Sequence, residues 1–542
     1  MGGMSSAVAV AERLDSETRE RVRRRLFRKI PHDTLWGWVI PLAITAFAGF
    51  LRFWRITRPK GKVFDEVYYA HDAWNLLHHG VELDAGKHDQ TAGFIVHPPL
   101  GKWMIAVGEG LFGNNPLGWR FSAAVIGTIS VLLIARIARR LFRSPVLGCV
   151  AALLLAFDGL EFVQSRTSML DIFLMFWVLA AFGALVADRD DGRVRLLSAL
   201  DAVGSGEVSP MGPFLGVRPW RWVCGFCLGA AIATKWDGLF WIPVFLLLAV
   251  WWDAGARRVA GVQQPVKGAI VNDGLLALVP FLVLPVVVYT VSWTGWFLSD
   301  GAHAWDHDRY VHHGQSWLAH DWAVFRGWLT YHREIYNFHS GLHATHPYLS
   351  NPWGWLLLAR PVAYYYSAPH GCGASSCSQE VLGIGTPAIW WMSIPALVAV
   401  AWRMFARFDW RAAAILLSFC AGYFSWVFDE AQTVANCHPA GDCHRTMFLF
   451  YLLPDVPFMV LALTMAAGML VGRHTALRMR RLIGAGAVAV YLTGVVWNFS
   501  YFYPILSAQV ITYQQWHDRM WLDTCNNDPK RDQHQESAPC WI

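Results

Sequence analysis

The amino-acid sequence predicts an all-α protein that crosses a membrane many times. Of its 542 residues, 55% are hydrophobic and only 15% are charged, whereas an ordinary soluble domain carries roughly 25% charged residues. The mean hydropathy is +0.32. The 30 Trp and 32 Phe residues suit apolar helices that end in aromatic belts where the membrane meets water.

Apolar stretches of roughly 17–25 residues predict about eleven spanning helices. They cover residues 35–54, 118–138, 146–162, 168–187, 220–235, 237–252, 272–297, 386–402, 411–428, 447–471 and 482–503. The stretches around 146–187 and 220–252 lie close together and allow a different division.

Alternate connections between these stretches are rich in arginine, which sets the expected orientation. With the N-terminus inside, the cytoplasmic connections contain Arg139, Arg140 and Arg143; Arg189, Arg193 and Arg195; Arg257, Arg258 and Lys267; Arg403, Arg407 and Arg411; and Arg473, Arg478, Arg480 and Arg481. The positive-inside rule is met at each one. The formal charge of +6 is thus divided among topology signals, and no basic face indicates nucleic-acid binding.

This orientation divides the chain into three parts. Residues 1–34 form a basic cytoplasmic tail without the apolar core of a signal peptide. Residues 35–505 form the helical membrane domain, with outer loops at about 55–117 and 298–385, and residues 506–542 form an outer tail. The second loop is rich in Trp, His and Tyr, so we expect it to fold against the membrane surface.

The cysteines separate by side of the membrane. Three local pairs fall outside, where disulfides form, namely Cys372 with Cys377, Cys437 with Cys443, and Cys525 with Cys540. Cys224 and Cys227 form a CxxC at helical spacing within an apolar stretch. Small packing residues explain that pair better than a redox or metal site does.

Two adjacent carboxylates follow the first span, in Lys62-Val63-Phe64-Asp65-Glu66-Val67-Tyr68-Tyr69-Ala70. Carboxylates beside a membrane are costly and indicate function. On a helix, neighbouring residues point about 100° apart, so only one of Asp65 and Glu66 can face a reacting atom. We expect one to be a general base and the other to orient it.

Other ionisable residues reach the same side from separate segments, which favours a shared polar cavity. Arg120 opens the second span, Gln164, Arg166 and Asp171 flank a later turn, and Lys235 ends the fifth span. In His97-Pro98-Pro99-Leu100-Gly101-Lys102 the prolines start a helix, and the motif is either a rigid turn or a substrate contact through His97. Gln164, Arg166 and Asp171 either orient a sugar or form an ion pair at an interface.

Several motifs, in order, resemble the protein O-mannosyltransferases, and most closely their actinobacterial branch. They are Phe64-Asp65-Glu66-Val67, His97-Pro98-Pro99-Leu100-Gly101-Lys102, Trp119-Arg120, Gln164-Ser165-Arg166, Thr234-Lys235-Trp236 with Gly238, His346-Pro347-Tyr348 and Leu452-Leu453-Pro454. The resemblance extends over about residues 45–505. Eukaryotic members carry a β-trefoil insertion in the long loop after the seventh span, and this chain lacks it, which leaves open any acceptor contact made there.

The resemblance implies a GT-C glycosyltransferase fold and transfer of mannose from polyprenyl-phosphate-mannose to Ser or Thr of secreted proteins. It implies Asp65 as the base and Glu66 beside it at the acceptor. Arg52, Arg120 and Lys235 become candidates around the donor phosphate. His346 lies in a matching motif without an assigned role. The implied location is the plasma membrane, with the site on the extracytoplasmic face.

The chemistry needs few groups. A lipid phosphate is a stable leaving anion, so the protein must supply a base for the hydroxyl and cations for the phosphate. One displacement inverts the anomeric centre. No cofactor is required, although His332, His339, His343 and His346 leave a divalent cation open as an alternative, at a spacing that matches no zinc motif.

Expected partners are the lipid-linked donor, secreted acceptor proteins and membrane lipids, with the secretion translocon as an open addition and no nucleic acid. An alternative is a related transferase that moves a sugar or aminosugar from polyprenyl phosphate to a glycolipid. A transporter or flippase predicts charges near span centres and inverted repeats, which the sequence does not display. A membrane chaperone that only binds secreted proteins has no need of the carboxylate pair.

Overall fold

The computed structural model describes residues 16–26, 34–83, 93, 96–203, 209–299, 316–344, 346–435, 445–472, 475–522 and 541. In the first half the helices are α1 Ser16–Leu26, α2 Leu35–Phe53, α3 Glu66–His79, α4 Leu100–Phe112, α5 Pro116–Phe142, α6 Pro145–Ala156, α7 Gly159–Gln164, α8 Asp171–Val203, α9 Pro219–Thr234 and α10 Trp241–Val259, the last preceded by a 3-10 turn at Trp236–Phe240.

The second half continues with α11, an irregular helix over Pro265–Ser292 that contains two π-helical turns. It is followed by α12 Thr294–Leu298, α13 Trp317–Ser340, α14 Pro352–Trp355, α15 Pro387–Arg407, α16 Trp410–Ala435, a 3-10 turn at Leu449–Asp455, α17 Val456–Val471, α18 Arg478–Leu506 and α19 Tyr513–His517. Three short strands complete the described elements: β1 Val362–Ser367, β2 Cys377–Gly383 and β3 Val510–Thr512.

The prediction of a helical, multi-pass membrane fold is confirmed. Each predicted span overlaps at least one helix, and nine helices within the described ranges are long and apolar enough to cross a membrane. Helix α6 has 12 residues and α9 has 16, and neither is among these nine. The third predicted span extended to residue 162, but Asp158 ends that run and caps α7 by accepting from the Glu161 N–H at 3.0 Å.

The local sequence explains where α5 begins and ends and how the chain turns into α6. Asn115 caps α5 by accepting from the backbone N–H groups of Leu117 and Gly118, and Pro116 occupies the first helical turn. At the other end Arg143 adopts a left-handed conformation with φ of 56°, and Ser144 then caps α6. Helices α5 and α6 therefore run antiparallel.

Helix α8 is the central element of the bundle. Of its most apolar window, 78% is buried inside the protein, and it packs against α5, α9 and α10. A helix that is apolar all round is expected to be enclosed in this way. Its first residue, Asp171, therefore lies at the centre of one end of the bundle.

The three strands form a small antiparallel sheet in the order β1-β2-β3, which the sequence did not predict. Val362 pairs with Gly383 at one end of the β1–β2 ladder, and Cys377 pairs with Thr512 between β2 and β3. Cys372 and Cys377 form a disulfide beside this hairpin, as predicted. The other two predicted cysteine pairs lie outside the described residues, and Cys224 and Cys227 are free and buried.

The opposite end of the bundle contains a buried charge network. The Arg218 guanidinium lies 2.7 Å from the Asp188 carboxylate and 2.8 Å from that of Asp253. Arg221 pairs with the same two carboxylates. Two cations and two anions thus satisfy one another, joining the middle of α8 and the second half of α10 to the start of α9.

We expect Asp188→Asn to lower the free energy of unfolding by about 3–5 kcal/mol, because it leaves buried guanidinium groups without full compensation. Asp191→Asn is the control, since its pair with Arg195 is partly exposed and worth only about 0.3–0.5 kcal/mol. Thermal unfolding in detergent measures both. Equal losses in the two variants would contradict this account of the network.

Candidate active site

Asp65 and Glu66 stand at the start of α3 in different surroundings. Glu66 is the first helical residue and is 0% exposed, whereas Asp65 precedes the helix and remains partly exposed. Only Asp65 therefore offers a carboxylate to an incoming molecule.

Both carboxylate oxygens of Glu66 are fully hydrogen-bonded within the protein. Its two carboxylate oxygens accept from Arg120 Nε at 2.8 Å and from the terminal Arg120 nitrogen at 2.7 Å. They also accept the backbone N–H groups of Val63 at 2.9 Å and Ser168 at 3.0 Å. This bidentate, charge-assisted pairing is the strong kind of hydrogen bonding, and it makes Glu66 a positioning residue rather than a partner of the acceptor.

Arg120 has no N–H group left for a phosphate. Besides Glu66, it donates to the carbonyls of Ile56 at 3.0 Å, Pro59 at 2.8 Å and Gly61 at 3.0 Å. All five donors of a guanidinium are thus assigned. The expectation that Arg120 binds donor phosphate is corrected on this geometry, since the side chain holds the loop that precedes Asp65.

Arg166 performs the same task at the end of α2. It donates to the carbonyls of Leu51, Arg52, Trp54 and Arg55 at 2.7–3.2 Å, which are the unsatisfied acceptors of a helix C-terminus. Of the two readings that the sequence left open for Arg166, sugar contact and structural pairing, these bonds favour the structural one.

Arg52 is equally enclosed. It is 0% exposed, pairs with the buried carboxylate of Glu161 and donates to the Ala48 carbonyl at 3.0 Å. A charge pair of this kind fixes α2 to α7. Enclosure and pairing remove Arg52 from the candidates for donor phosphate.

Phe64 holds Asp65 in place from the other side. Its φ of 46° lies in the left-handed region, which is costly for a bulky residue and marks sites where the surroundings determine the backbone. Its ring stacks on Tyr364 at 5.1 Å and meets Phe448, Phe450 and His346 edge-on at 5.8–6.1 Å.

Two predicted site residues belong to this aromatic enclosure. Gln164 Nε2 donates to the Tyr364 hydroxyl at 2.6 Å, and His346 Nδ1 accepts the Tyr348 backbone N–H at 3.2 Å. Gln164 therefore supports a residue that contacts Phe64, and His346 contacts Phe64 itself. Gln164 Oε1 is buried and has no hydrogen-bond partner among the described residues.

Asp65 shares its surroundings with Tyr69, Asp171 and Lys235. Desolvation raises the pKa of Asp65 to about 6, with Asp171 acting in the same direction, whereas Lys235 and the Tyr69 hydroxyl oppose the shift. A carboxyl with a pKa near the working pH is suited to general base catalysis.

Lys235 joins three segments at this point. Its Nζ lies 2.9 Å from Asp171 Oδ1, 3.7 Å from Asp237 and 4.2 Å from the centre of the Tyr451 ring. Gly101 permits the close packing beneath it, because a Cβ there would meet Leu170 and Thr234 at 2.8 and 2.9 Å.

His97 lies next to this cluster and is half-buried. Burial, helped by Lys235 and His339, lowers the pKa of His97 well below its usual value, so the ring is neutral at pH 7. Its ring centre lies 5.2 Å from that of His339 and 6.0 Å from that of Tyr69. The Pro99 that follows begins α4, so the motif combines a rigid turn with a site-facing ring.

The outer-loop histidines separate into different contacts. His332 contacts Tyr289 at 2.7 Å, His339 contacts the Val96 carbonyl at 2.8 Å, and His346 packs on Phe448. Within the described ranges no group of three or more His, Cys, Asp or Glu side chains is arranged to hold a metal ion.

The structure thus brings together Asp65, Asp171, Lys235 and His97, and it separates Arg52, Arg120 and Arg166 from them. Sequence reasoning assigned no role to Tyr69, Asp237, Tyr364 and Tyr451. Asp237 was detectable, since it follows Lys235 by two residues in the same turn. The sequence offered no reason to select these three tyrosines from the chain's 16 Tyr, because only the fold brings their hydroxyls to one place.

Comparisons with known proteins agree with this geometry. One family model, "C-terminal four TMM region of protein-O-mannosyltransferase", matches residues 324–525, and "Dolichyl-phosphate-mannose-protein mannosyltransferase" matches residues 96–210. A relative from Mycobacterium tuberculosis named polyprenol-phosphate-mannose–protein mannosyltransferase is 38% identical over 505 residues, covering 91% of this chain and 92% of the relative. The chain belongs to this mannosyltransferase family.

Other comparisons extend the same result. The Corynebacterium glutamicum relative of the same name is 33% identical over 500 residues, with 90% of this chain and 92% of the relative covered. Among solved structures, a chain of the S. cerevisiae Pmt1–Pmt2 protein O-mannosyltransferase complex bound to the sugar donor has a TM-score of 0.68 at 15% identity, covering 92% and 94% of the two chains. At that identity the structural likeness establishes the fold, and the predicted GT-C membrane fold is confirmed.

The free energy of unfolding should respond differently to the replacement of Glu66 and of Asp65. We expect Glu66→Gln to lower the free energy of unfolding by about 3–5 kcal/mol, because Arg120 then keeps a buried, uncompensated charge. Asp65→Asn should leave stability unchanged or raise it. A carboxyl whose pKa in the fold lies above its unfolded value destabilises the fold once it ionises.

Thermal unfolding at pH 7.5 in one detergent measures both variants. Destabilisation of Asp65→Asn equal to that of Glu66→Gln would contradict the separation of roles.

Proposed function

We propose that this mannosyltransferase moves mannose from polyprenyl-phosphate-mannose to a Ser or Thr hydroxyl of a secreted protein, with Asp65 as general base. The observation that carries the proposal is the contrast at the start of α3. Glu66 is saturated by internal hydrogen bonds, whereas Asp65 is partly exposed beside Lys235 and Asp171.

The reaction is a single displacement. The Asp65 carboxylate takes the proton of the hydroxyl as its oxygen forms a bond to the anomeric carbon, and the bond from that carbon to the phosphate oxygen breaks. The phosphate leaves as an anion on the opposite face, so the anomeric configuration inverts. No general acid is needed, because the leaving phosphate is stable without protonation.

Lys235 is our candidate for the phosphate. Among the predicted cations it alone lies with Asp65 in the electrostatic cluster, while Arg52, Arg120 and Arg166 are occupied by Glu161, Glu66 and loop carbonyls. Asp171 and Asp237 hold its ammonium group in position. A fixed cation stabilises the charge that develops on the leaving group.

The proposed site faces the outside of the plasma membrane. Under the positive-inside rule the arginine-rich ends of α5, α8, α10 and α15 are cytoplasmic, and α3 and the start of α8 lie at the other end of the bundle. Acceptors would reach the site as they emerge from secretion, and direct contact with the translocon stays a prediction.

Asp65→Asn should lower turnover by about 10²- to 10⁴-fold, the usual contribution of a positioned base, at unchanged membrane abundance. The assay follows labelled mannose from mannosyl polyprenyl phosphate into a Ser- and Thr-rich peptide. Near-normal transfer by the variant would falsify the base assignment. Label that enters lipid instead of peptide would favour a glycolipid acceptor.

The pH dependence provides an independent check. The base must be ionised, so kcat/KM should fall about tenfold per pH unit as the pH drops below about 6, the pKa of Asp65. The residual rate of Asp65→Asn should lack this acid limb. An unchanged limb in that variant would mean that another group titrates.

Lys235→Ala should weaken donor binding far more than acceptor binding, because the phosphate loses its cation. Lys102→Ala is the matched control, since that buried lysine pairs with Asp72 at 2.9 Å and with Glu82. A lysine that serves the phosphate removes the need for a metal, so EDTA should not reduce turnover. Equal donor affinity in the Lys235 variant, or loss of activity on chelation, argues against this role.

A further inference from the structure

A large basic cavity lies at the end of the bundle opposite Asp65. It has a volume of about 1610 Å³ and lies among the ends of α5, α15 and α17, the middle of α8, the starts of α6, α16 and α18, and the last turn of α1. Among the described residues, nine arginines and one carboxylate, that of Asp409, line it. The mannosyl transfer described above does not use this cavity.

Internal pairing neutralises only part of this charge. Asp409 pairs with Arg403 at 3.1 Å and with Arg411 at 2.6 Å. Asp190, just behind the wall, pairs with Arg143 at 2.8 Å and with Arg189 at 3.3 Å.

The remaining five arginines have no carboxylate within 4 Å in the part of the chain that the structure describes; they are Arg25, Arg193, Arg407, Arg480 and Arg481. They converge from four separate elements, α1, α8, α15 and α18. Several like charges held around one space repel one another unless an anion enters it.

Arg189 is a second indication of a ligand. It is only 6% exposed, its guanidinium stacks over the Trp410 ring at 3.3 Å, and its Nε is buried without a hydrogen-bond partner among the described residues. A planar cation held in this way is well suited to bind phosphate.

The rest of the wall is apolar and opens to the surface of the bundle. Leu147, Met465 and Met469 line the interior. Val146 and Trp402 also line it and are 70% and 53% exposed, on helices α6 and α15. A ligand that fits must therefore join an anionic head to apolar chains.

We propose that this cavity binds the head group of an anionic phospholipid, with its phosphate among Arg193, Arg407, Arg480 and Arg481 and its chains along Val146 and Trp402. Basic pockets between membrane helices on the cytoplasmic side suit such head groups. The lipid would come from the cytoplasmic leaflet, an orientation that rests on the proposed function. The lipid also explains why α1 lies here, since Arg25 and Leu26 close one side of the cavity.

The test uses the full chain purified in a neutral detergent and titrated with dioleoyl phosphatidylglycerol, with native mass spectrometry as the readout. The variant is Arg407→Gln with Arg480→Gln and Arg481→Gln, none of which forms an ion pair to a described carboxylate. Each cation near an anionic lipid contributes about fivefold in affinity, so the triple variant should bind about a hundredfold more weakly.

Two matched variants distinguish the loss of the cavity arginines from a general decrease in the protein's net charge. Arg23→Gln with Arg258→Gln and Lys267→Gln removes equal charge from exposed positions outside the cavity and should bind as the unaltered chain does. Arg407→Lys with Arg480→Lys and Arg481→Lys should retain most binding. Equal weakening in the exposed-position variant, or none in the cavity variant, would overturn the proposal.

Further arms identify the source of the phosphate. Inorganic phosphate and glycerophosphoglycerol should not displace the lipid at millimolar concentration, because they lack the apolar chains. Full displacement by either would assign the cavity to a soluble phosphate compound and overturn the lipid assignment. Mannosyl transfer is measured on the same preparations, so loss of lipid binding and loss of catalysis are read separately.

Discussion

The site depends on the way two arginines hold one short stretch of backbone. Arg166 and Arg120 together donate to seven carbonyl groups between residues 51 and 61, where α2 has ended and no ladder satisfies them. Buried backbone carbonyls must be paired, and a guanidinium with five donors pairs several at once. The loop that delivers Asp65 is therefore rigid without any secondary structure of its own.

The same arrangement assigns different tasks to two adjacent carboxylates. Glu66 neutralises Arg120 and accepts two backbone N–H groups, so its charge is used up in the fold. Asp65 receives no comparable set of donors and is partly desolvated, which is why its pKa rises to about 6. Glu66 thus neutralises Arg120 within the fold, and the neighbouring Asp65 carboxylate is left weakly solvated and free to act as the proposed base.

The sequence predicted the helical membrane fold, because hydropathy identifies spanning helices directly. Of the predicted site residues, Asp65, His97, Asp171 and Lys235 lie together in the structure. It named Arg120 and Arg52 as candidates for the phosphate from the family resemblance and, for Arg120, from its position at the outer end of a span. Neither observation shows whether the donors of a guanidinium are free. That question depends on contacts such as Arg120 with Pro59, 61 residues apart. The small sheet was missed because β3 is only three residues long and pairs with a strand more than 120 residues earlier.

Arginine has opposite uses at the two ends of helix α5. In the first turns of α5, all the donors of Arg120 are bound by Glu66 and by backbone carbonyls, and these bonds hold the loop that precedes Asp65. Just beyond its last turn Arg143 pairs with Asp190 but also lines a cavity where, among the described residues, arginines outnumber carboxylates and Arg407, Arg480 and Arg481 have no carboxylate partner. An arginine whose charge is paired within the protein stabilises the fold. An arginine without a carboxylate partner favours the binding of an anion. The number of partners per guanidinium, rather than the number of arginines, therefore separates Arg120, which holds a loop, from Arg407, Arg480 and Arg481, which we propose to bind an anion.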